Sequence, residues 1–182
     1  VSQANRIPYN YVYCSEAQAL ASAMSTDSNK TSGLLFGIQW DLVCKYLEVK
    51  GKLSVEQIKG GDNVGSKNWG NYYNATVTAI KNGAKQRPSK TGIWISSTED
   101  KTSESNILLT TGASEYTKKM NIYDFAGNET EWTLEKTSKE SFPFAMRGGA
   151  FDQGSGYFPA SNREYIGMTY AQGSVSFRST LY

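Results

Sequence analysis

The chain contains no histidine. Its absence removes the usual general base near neutral pH and the commonest metal ligand, and with them Ser-His-Asp and Cys-His catalysis and every histidine-ligated zinc or iron site. Cysteine is nearly as scarce. Cys14 and Cys44 are the only two, whereas a zinc site built from sulfur alone needs four. No apolar run approaches the roughly 20 residues that cross a bilayer; the longest is Leu34-Leu35-Phe36-Gly37-Ile38. Blocks of like charge are also missing: nineteen Lys and Arg against seventeen Asp and Glu leave a net charge of +2. A phosphate-tracking arm is therefore not expected, and nucleic acid is not a predicted partner. The sequence carries no phosphate loop, dinucleotide fingerprint or EF-hand loop, and no repeat with a period of about 20 to 50 residues.

What the chain does have is aromatic surface. Twelve Tyr, seven Phe and four Trp make up 13% of 182 residues, with seventeen Gly and four Pro. A chain of this length buries about 70% of its unfolded surface when it folds, so a single domain over residues 1–182 is expected. The chain opens at Val1 without Met and without a basic-then-apolar leader, and is read as the C-terminal part of a longer protein. Ser15 and Gln18 offer a capping box, after which Ala17, Leu20, Ala21 and Met24 repeat at helical spacing. A second helix places Phe36, Trp40, Val43, Cys44 and Leu47 on one face, Asp41 and Lys45 on another, with Gly51 as its stop. Cys44 on that apolar face fits either a small buried thiol or a bridge to Cys14. From Lys52 to about Asn106 the chain reads as ordered loops anchored by Trp69, Tyr72, Tyr73, Ile80, Ile93, Trp94 and Ile95. Short β-prone runs follow at Ile107 to Thr111, Glu131 to Leu134, Phe144 to Arg147 and Val175 to Leu181. Two N-terminal helices, then short antiparallel strands and long ordered loops, predict an α+β fold.

The densest pattern lies between Asn121 and Arg178. It comprises Asn121-Ile122-Tyr123-Asp124-Phe125-Ala126-Gly127-Asn128, Glu131-Trp132, Arg147-Gly148-Gly149-Ala150-Phe151, Pro159-Ala160-Ser161-Asn162-Arg163 and Ser176-Phe177-Arg178. In order and spacing these segments resemble the formylglycine-generating, sulfatase-modifying-factor branch of the C-type lectin fold. On the residues alone, Gly127-Asn128 predicts a tight turn, with Glu131 and Trp132 sent to opposite faces of the strand after it. Arg147-Gly148-Gly149 lets a backbone pass beneath a buried aromatic, and Arg163 and Arg178 read as staples for loop carbonyls. The resemblance implies an optional structural calcium near Asn128 and Glu131, whose oxygens suit that ion. Glu129 and Thr130 depart from the pattern there.

The oxidase members of this family hold copper with two thiolates, the soft ligands that Cu(I) selects. The matching positions here are Ala160 and, nearby, Ser155, so formylglycine generation is the disfavoured alternative and no cofactor is expected. The histidine-ligated iron branch fails for want of histidine. Among the carboxylates Asp124, Glu129, Glu131, Asp152 and Glu164, nothing marks any pair for acid–base catalysis. The chain is not predicted to be an enzyme.

The tail instead has the composition of a binding loop. Phe151, Asp152, Gln153, Tyr157, Phe158, Asn162, Glu164, Tyr165, Ile166, Met168 and Tyr170 are interleaved with Gly154, Gly156, Gly167 and Gly173. Tyr and Phe supply large contact area at low rotamer cost, while Gly, Ser and Asn adapt. Residues 147–182 resemble most closely the non-catalytic variable proteins of diversity-generating retroelements from gut bacteria and phages, which bind ligands through their C-terminal segments. That resemblance implies a protein or glycan ligand on a cell surface, and an extracellular, cell-surface or virion location. Four or five of the eleven tail residues are expected to fill the core beneath the loops.

Overall fold

The computed structural model describes residues 3–60 and 65–182. In chain order the elements are α1 (Cys14–Ser22), β1 (Ser32–Leu34), α2 (Gly37–Val49), α3 (Val55–Lys59), a 3₁₀ turn (Ser66–Asn68), β2 (Lys85–Pro88), β3 (Ile95–Ser96), β4 (Ile107–Leu109), β5 (Lys118–Lys119), β6 (Ile122–Tyr123), β7 (Thr130–Lys136), β8 (Phe144–Arg147), β9 (Arg163–Tyr165), β10 (Val175–Phe177) and β11 (Ser179–Leu181). Helices confined to the first third, and strands that, β1 apart, come after them, make an α+β architecture.

The central sheet has the order β10-β7-β8-β9. Its β7–β8 and β8–β9 pairs are antiparallel, but β10 runs parallel to β7, with Phe177 opposite Trp132. That corrects the expectation of antiparallel strands alone. The predicted strand from Val175 to Leu181 is two strands: beyond Arg178 the chain leaves this sheet and β11 pairs with β1. The break has a chemical cause, because Arg178 turns aside to bond Glu131 and the carbonyls of Tyr123 and Asp124.

α1 starts two residues earlier than the Ser15–Gln18 box implies. Its N-cap is Tyr13, whose amide donates to the Glu16 carboxylate at 2.9 Å. Cys14, Ala17 and Ala21 face the core, and Leu20 and Met24 are exposed. In α2, Trp40, Cys44 and Leu47 are buried as the spacing predicts. Phe36 is instead an exposed N-cap, and Ile38, Leu42, Tyr46 and Val49 leave the outer face apolar as well. Gly51 ends the helix where a Cβ would meet the Leu47 carbonyl at 2.5 Å.

The stretch read as loops contains real elements. α3 is closed by a reciprocal cap between Ser54 and Gln57, and β2 holds β3 on one side and β4 on the other. Among the described residues three core clusters result. One joins Trp40, Cys44, Trp69, Tyr72, Phe125 and Ala160; a second joins Val12, Cys14, Ala17, Trp132, Met146 and Val175; a third joins Val77, Leu109 and Ala113. Cys14 and Cys44 sit in different clusters and are free thiols. Burial pushes both up to about 11, so neither is a thiolate at neutral pH.

Candidate functional site

The tail rests on two polar devices. In the first, Arg147, whose side chain is 1% exposed, donates to Asp41 of α2 at 2.5 Å and to Glu135 of β7 at 2.7 Å. Arg163, across from it on β9, reaches the same two carboxylates. Arg163, like Arg178, was expected to staple loop carbonyls. Here Arg147 and Arg163 clamp a helix to a sheet through carboxylates, and only Arg178 takes the carbonyl role. In the second device Asn128, at φ 65° after Gly127 at φ 68°, bonds outward rather than to its own backbone. Its Oδ1 accepts from Asn71 Nδ2 at 2.8 Å and from the Leu109 amide at 3.1 Å, and its Nδ2 donates to the Leu109 carbonyl.

These contacts decide the fit of calcium. Both oxygens of Glu131 accept from Arg178, and Asn128 Oδ1 already has two N–H donors. Neither side chain keeps an oxygen free for a cation, so the residues do not fit a calcium site. The two positions matched to copper thiolates are equally closed. Ala160 is buried, its carbonyl taken by the Trp40 indole N–H at 2.9 Å and its amide by Ser66 at 2.9 Å. Ser155 is buried with an unpartnered hydroxyl. Among the described residues no three Asp, Glu or Cys side chains converge as metal ligands would.

Arg147-Gly148-Gly149 does pass the chain beneath aromatics: a Cβ on Gly149 would lie 2.2 Å from the Phe158 carbonyl and 2.7 Å from the Tyr72 ring. Beyond it the eleven tail residues separate. Phe151 is buried and belongs to the scaffold, its amide bonded to the Asn128 carbonyl. Tyr157 is 87% exposed at the tip of a loop whose base is tied to Tyr73 and Asn74, and Phe158 beside it is half-buried. Asn162 is half-buried, with its carbonyl accepting from Gly148. Register sets the rest. Glu164 shares a sheet face with Met146, whereas Tyr165 and Arg163 share the other with Arg147. Tyr165 therefore points away from Glu164, towards Lys139, whose ammonium is 5.4 Å from the ring centre. Only Phe151 is fully buried, fewer than the four or five expected; Gln153, Phe158, Asn162, Glu164, Ile166, Met168 and Tyr170 are half-buried.

One subset coheres. Asp152, Gln153, Glu164 and Tyr170 interact: Gln153 bonds Glu164, and the two carboxylates join burial in raising the Tyr170 phenol. Lost hydration is also the main reason both carboxyls lie above their ordinary range. Beneath them Ile166, Met168 and Tyr170 pack on the cluster of Val12, Trp132 and Met146.

Sequence reasoning missed a neighbour of this subset, the N-terminal strap at residues 9–14. It runs antiparallel to residues 168–173, through bonds from the Cys14 amide to the Met168 carbonyl, from the Tyr11 amide to the Gln172 carbonyl, and from Asn10 Nδ2 to the Gly173 carbonyl. Val12 faces inward at 1% exposure, while Tyr9, Tyr11 and Tyr13 face outward at 64%, 62% and 43%. The alternation of three tyrosines about Val12 was the readable signal.

Neither the protein-family models nor the curated proteins match this sequence. Among solved structures the fold is similar to that of Treponema denticola variable protein 1, at 17% identity and a TM-score of 0.54 over 94% of this chain and 70% of that one. It is also similar to CarF, at 15% identity and a TM-score of 0.56 over 97% of this chain and 67% of that one. At these identities the likeness is one of fold.

Proposed function

We propose that this chain is a non-catalytic, C-type lectin-like ligand-binding domain that presents its C-terminal surface to a protein or glycan on a cell surface, as the variable proteins of diversity-generating retroelements do. The observation that carries the reading is a division of labour within one segment. Arg147, Phe151, Ala160 and Val175 are locked into the scaffold. Asp152, Tyr157 and Tyr165 between them are exposed, and Gln153, Glu164 and Tyr170 are half-buried. Substituting the exposed Asp152, Tyr157 or Tyr165 leaves core packing untouched, which is what a changeable binding surface requires. The likeness in fold to a protein named as a variable protein agrees with it.

The oxidase reading has no support in residue type, since a buried methyl and a buried hydroxyl stand at the thiolate positions and both thiols lie elsewhere under burial. An extracellular, cell-surface or virion setting is part of the proposal. Among the described residues no helix is long and apolar enough to cross a membrane. The test is an array of cell-surface proteins and glycans probed with the wild type and with a variant carrying Tyr157→Ala and Tyr165→Ala. Capture of a target by the wild type, lost in the variant, is expected. Equal capture by both would overturn the reading.

A further inference from the structure

We infer that the outer face of α2 docks a second copy of this chain, the two helices lying antiparallel about a two-fold axis. This does not depend on what the tail binds.

α2 carries two apolar stripes. Trp40, Cys44 and Leu47 are buried on its inner side. Ile38, Leu42, Tyr46 and Val49 recur at spacings of four, four and three, and at about 100° per residue they centre on the side opposite that buried stripe. They are 66%, 61%, 43% and 57% exposed, and among the described residues none of them belongs to a core cluster. Polar side chains separate the two stripes, with Asp41, Lys45 and Glu48 along one flank and Gln39 and Lys50 along the other. A surface helix ordinarily sets its charged residues opposite its buried face. Here charge is displaced to the flanks, and the side facing water is apolar. Such a helix has the pattern of one covered on both sides.

Area and symmetry select the occupant. The four side chains expose roughly 400 Å² of mainly apolar surface, the size of the largest patch on a typical monomer. Two such patches face to face, with the polar rim that an interface adds, pass the roughly 1,000 Å² expected of a biological contact. A two-fold dimer sets one patch against itself, so the patch must be self-complementary. This one is: reversing the helix brings Ile38 opposite Val49 and Leu42 opposite Tyr46, apolar against apolar at each step. The rim agrees with that direction. Lys45 is paired with Glu48 at 3.0 Å, and Asp41 is held by Arg147 and Arg163. Antiparallel helices place Lys50 near Gln39 of the other copy and oppose their dipoles, whereas parallel ones would turn the Lys45 flank towards Lys50 and align the dipoles. A lipid surface would call for a basic flank, and the charges beside this stripe balance.

The test is sedimentation velocity of the full chain between about 5 and about 200 µM, with Tm measured on each variant. The wild type is expected to pass from one chain to two across that range. Leu42→Glu should keep the Tm within a few degrees of wild type and raise the dimer dissociation constant at least about ten-fold, because the two-fold axis buries the added carboxylate twice. Cross-linking reads the alignment. Under mild oxidation a mixture of Leu42→Cys chains with Tyr46→Cys chains should join in pairs, while each alone does not, since Cα atoms more than about 7 Å apart are not bridged. Cys14 and Cys44 do not compete, being buried with thiols pushed up to about 11. The cysteine variants bury no charge, so they decide the matter if Leu42→Glu fails to fold. A wild type that stays a single chain at the highest concentration overturns the inference, including one that binds phosphatidylserine vesicles instead. So does a dimer that a folded Leu42→Glu chain still forms, or cross-links that appear within each single variant and not in the mixture.

Discussion

Glu129 holds its proton unusually tightly. It is buried against Asn10 and Ser176, and burial, aided by the Glu131 and Asp124 carboxylates, pushes its carboxyl up to about 8. The folded chain therefore keeps a proton that the unfolded chain releases above about 4.5. The stability this group contributes is full below the unfolded value and is lost as pH rises through about 8. Glu129→Gln retains groups able to bond Asn10 and Ser176 but carries no charge to bury. It is expected to be neutral at pH 4.5 and to stabilise by about 1–3 kcal/mol at pH 8.5; chemical denaturation at the two pH values checks this, and an equal effect at both would count against it. Lys101 has the opposite sign. Its ammonium, in a residue 1% exposed, is bonded to the carbonyls of Tyr72 and Ala75 and is lowered to about 8 by burial. Its contribution therefore grows as pH rises from about 8 towards 10.5, the ordinary lysine value. Glu135→Ala strands the Arg147 guanidinium in the interior and should cost about 2–4 kcal/mol, read as a lower denaturation midpoint. A loss within error would mean that Asp41 alone suffices.

The elements that hold the tail are short and depend on particular contacts more than on propensity. Gly127 is the clearest case. Its φ is +68°, and a Cβ would lie 2.2 Å from the Asn71 carbonyl, which receives the Asn128 amide at 2.7 Å. Gly127→Ala must open the Asn71–Asn128 junction that positions β7, and a loss of more than about 2 kcal/mol is expected from the combined clash and strain. Thermal melts check it, and a melt like that of wild type would show that the junction yields. The same elements mark what was legible. The buried stripe of α2 follows from Trp40, Cys44 and Leu47 at helical spacing, and β8 has the predicted bounds. α3 was written in the Ser54–Gln57 box but is only five residues long, too short for a periodic stripe. The parallel β10 was not legible, since strand direction depends on where a connection runs in space. The faces of Glu164 and Tyr165 hung on the β8–β9 register, and a one-residue slip exchanges the two.

Across the molecule, stability and recognition occupy different atoms of one segment. Trp40 stacks on Phe125 at 4.1 Å between ring centres and bonds the Ala160 carbonyl. Trp40→Ala should therefore cost about 3–5 kcal/mol, whereas Tyr157→Ala, at a site 87% exposed, should fall within about 0.5 kcal/mol of wild type. The sequence pattern led to this division because scaffold residues keep fixed chemistry and spacing. The strap escaped it because its partners lie some 160 positions away, as with Asn10 and Gly173. The most direct measurement is the affinity of a captured array target for the chain carrying Tyr157→Ala and Tyr165→Ala, with its Tm taken on the same sample. Binding abolished while the melt stays within a few degrees of wild type is the predicted result; undiminished affinity in that well-folded variant would contradict it.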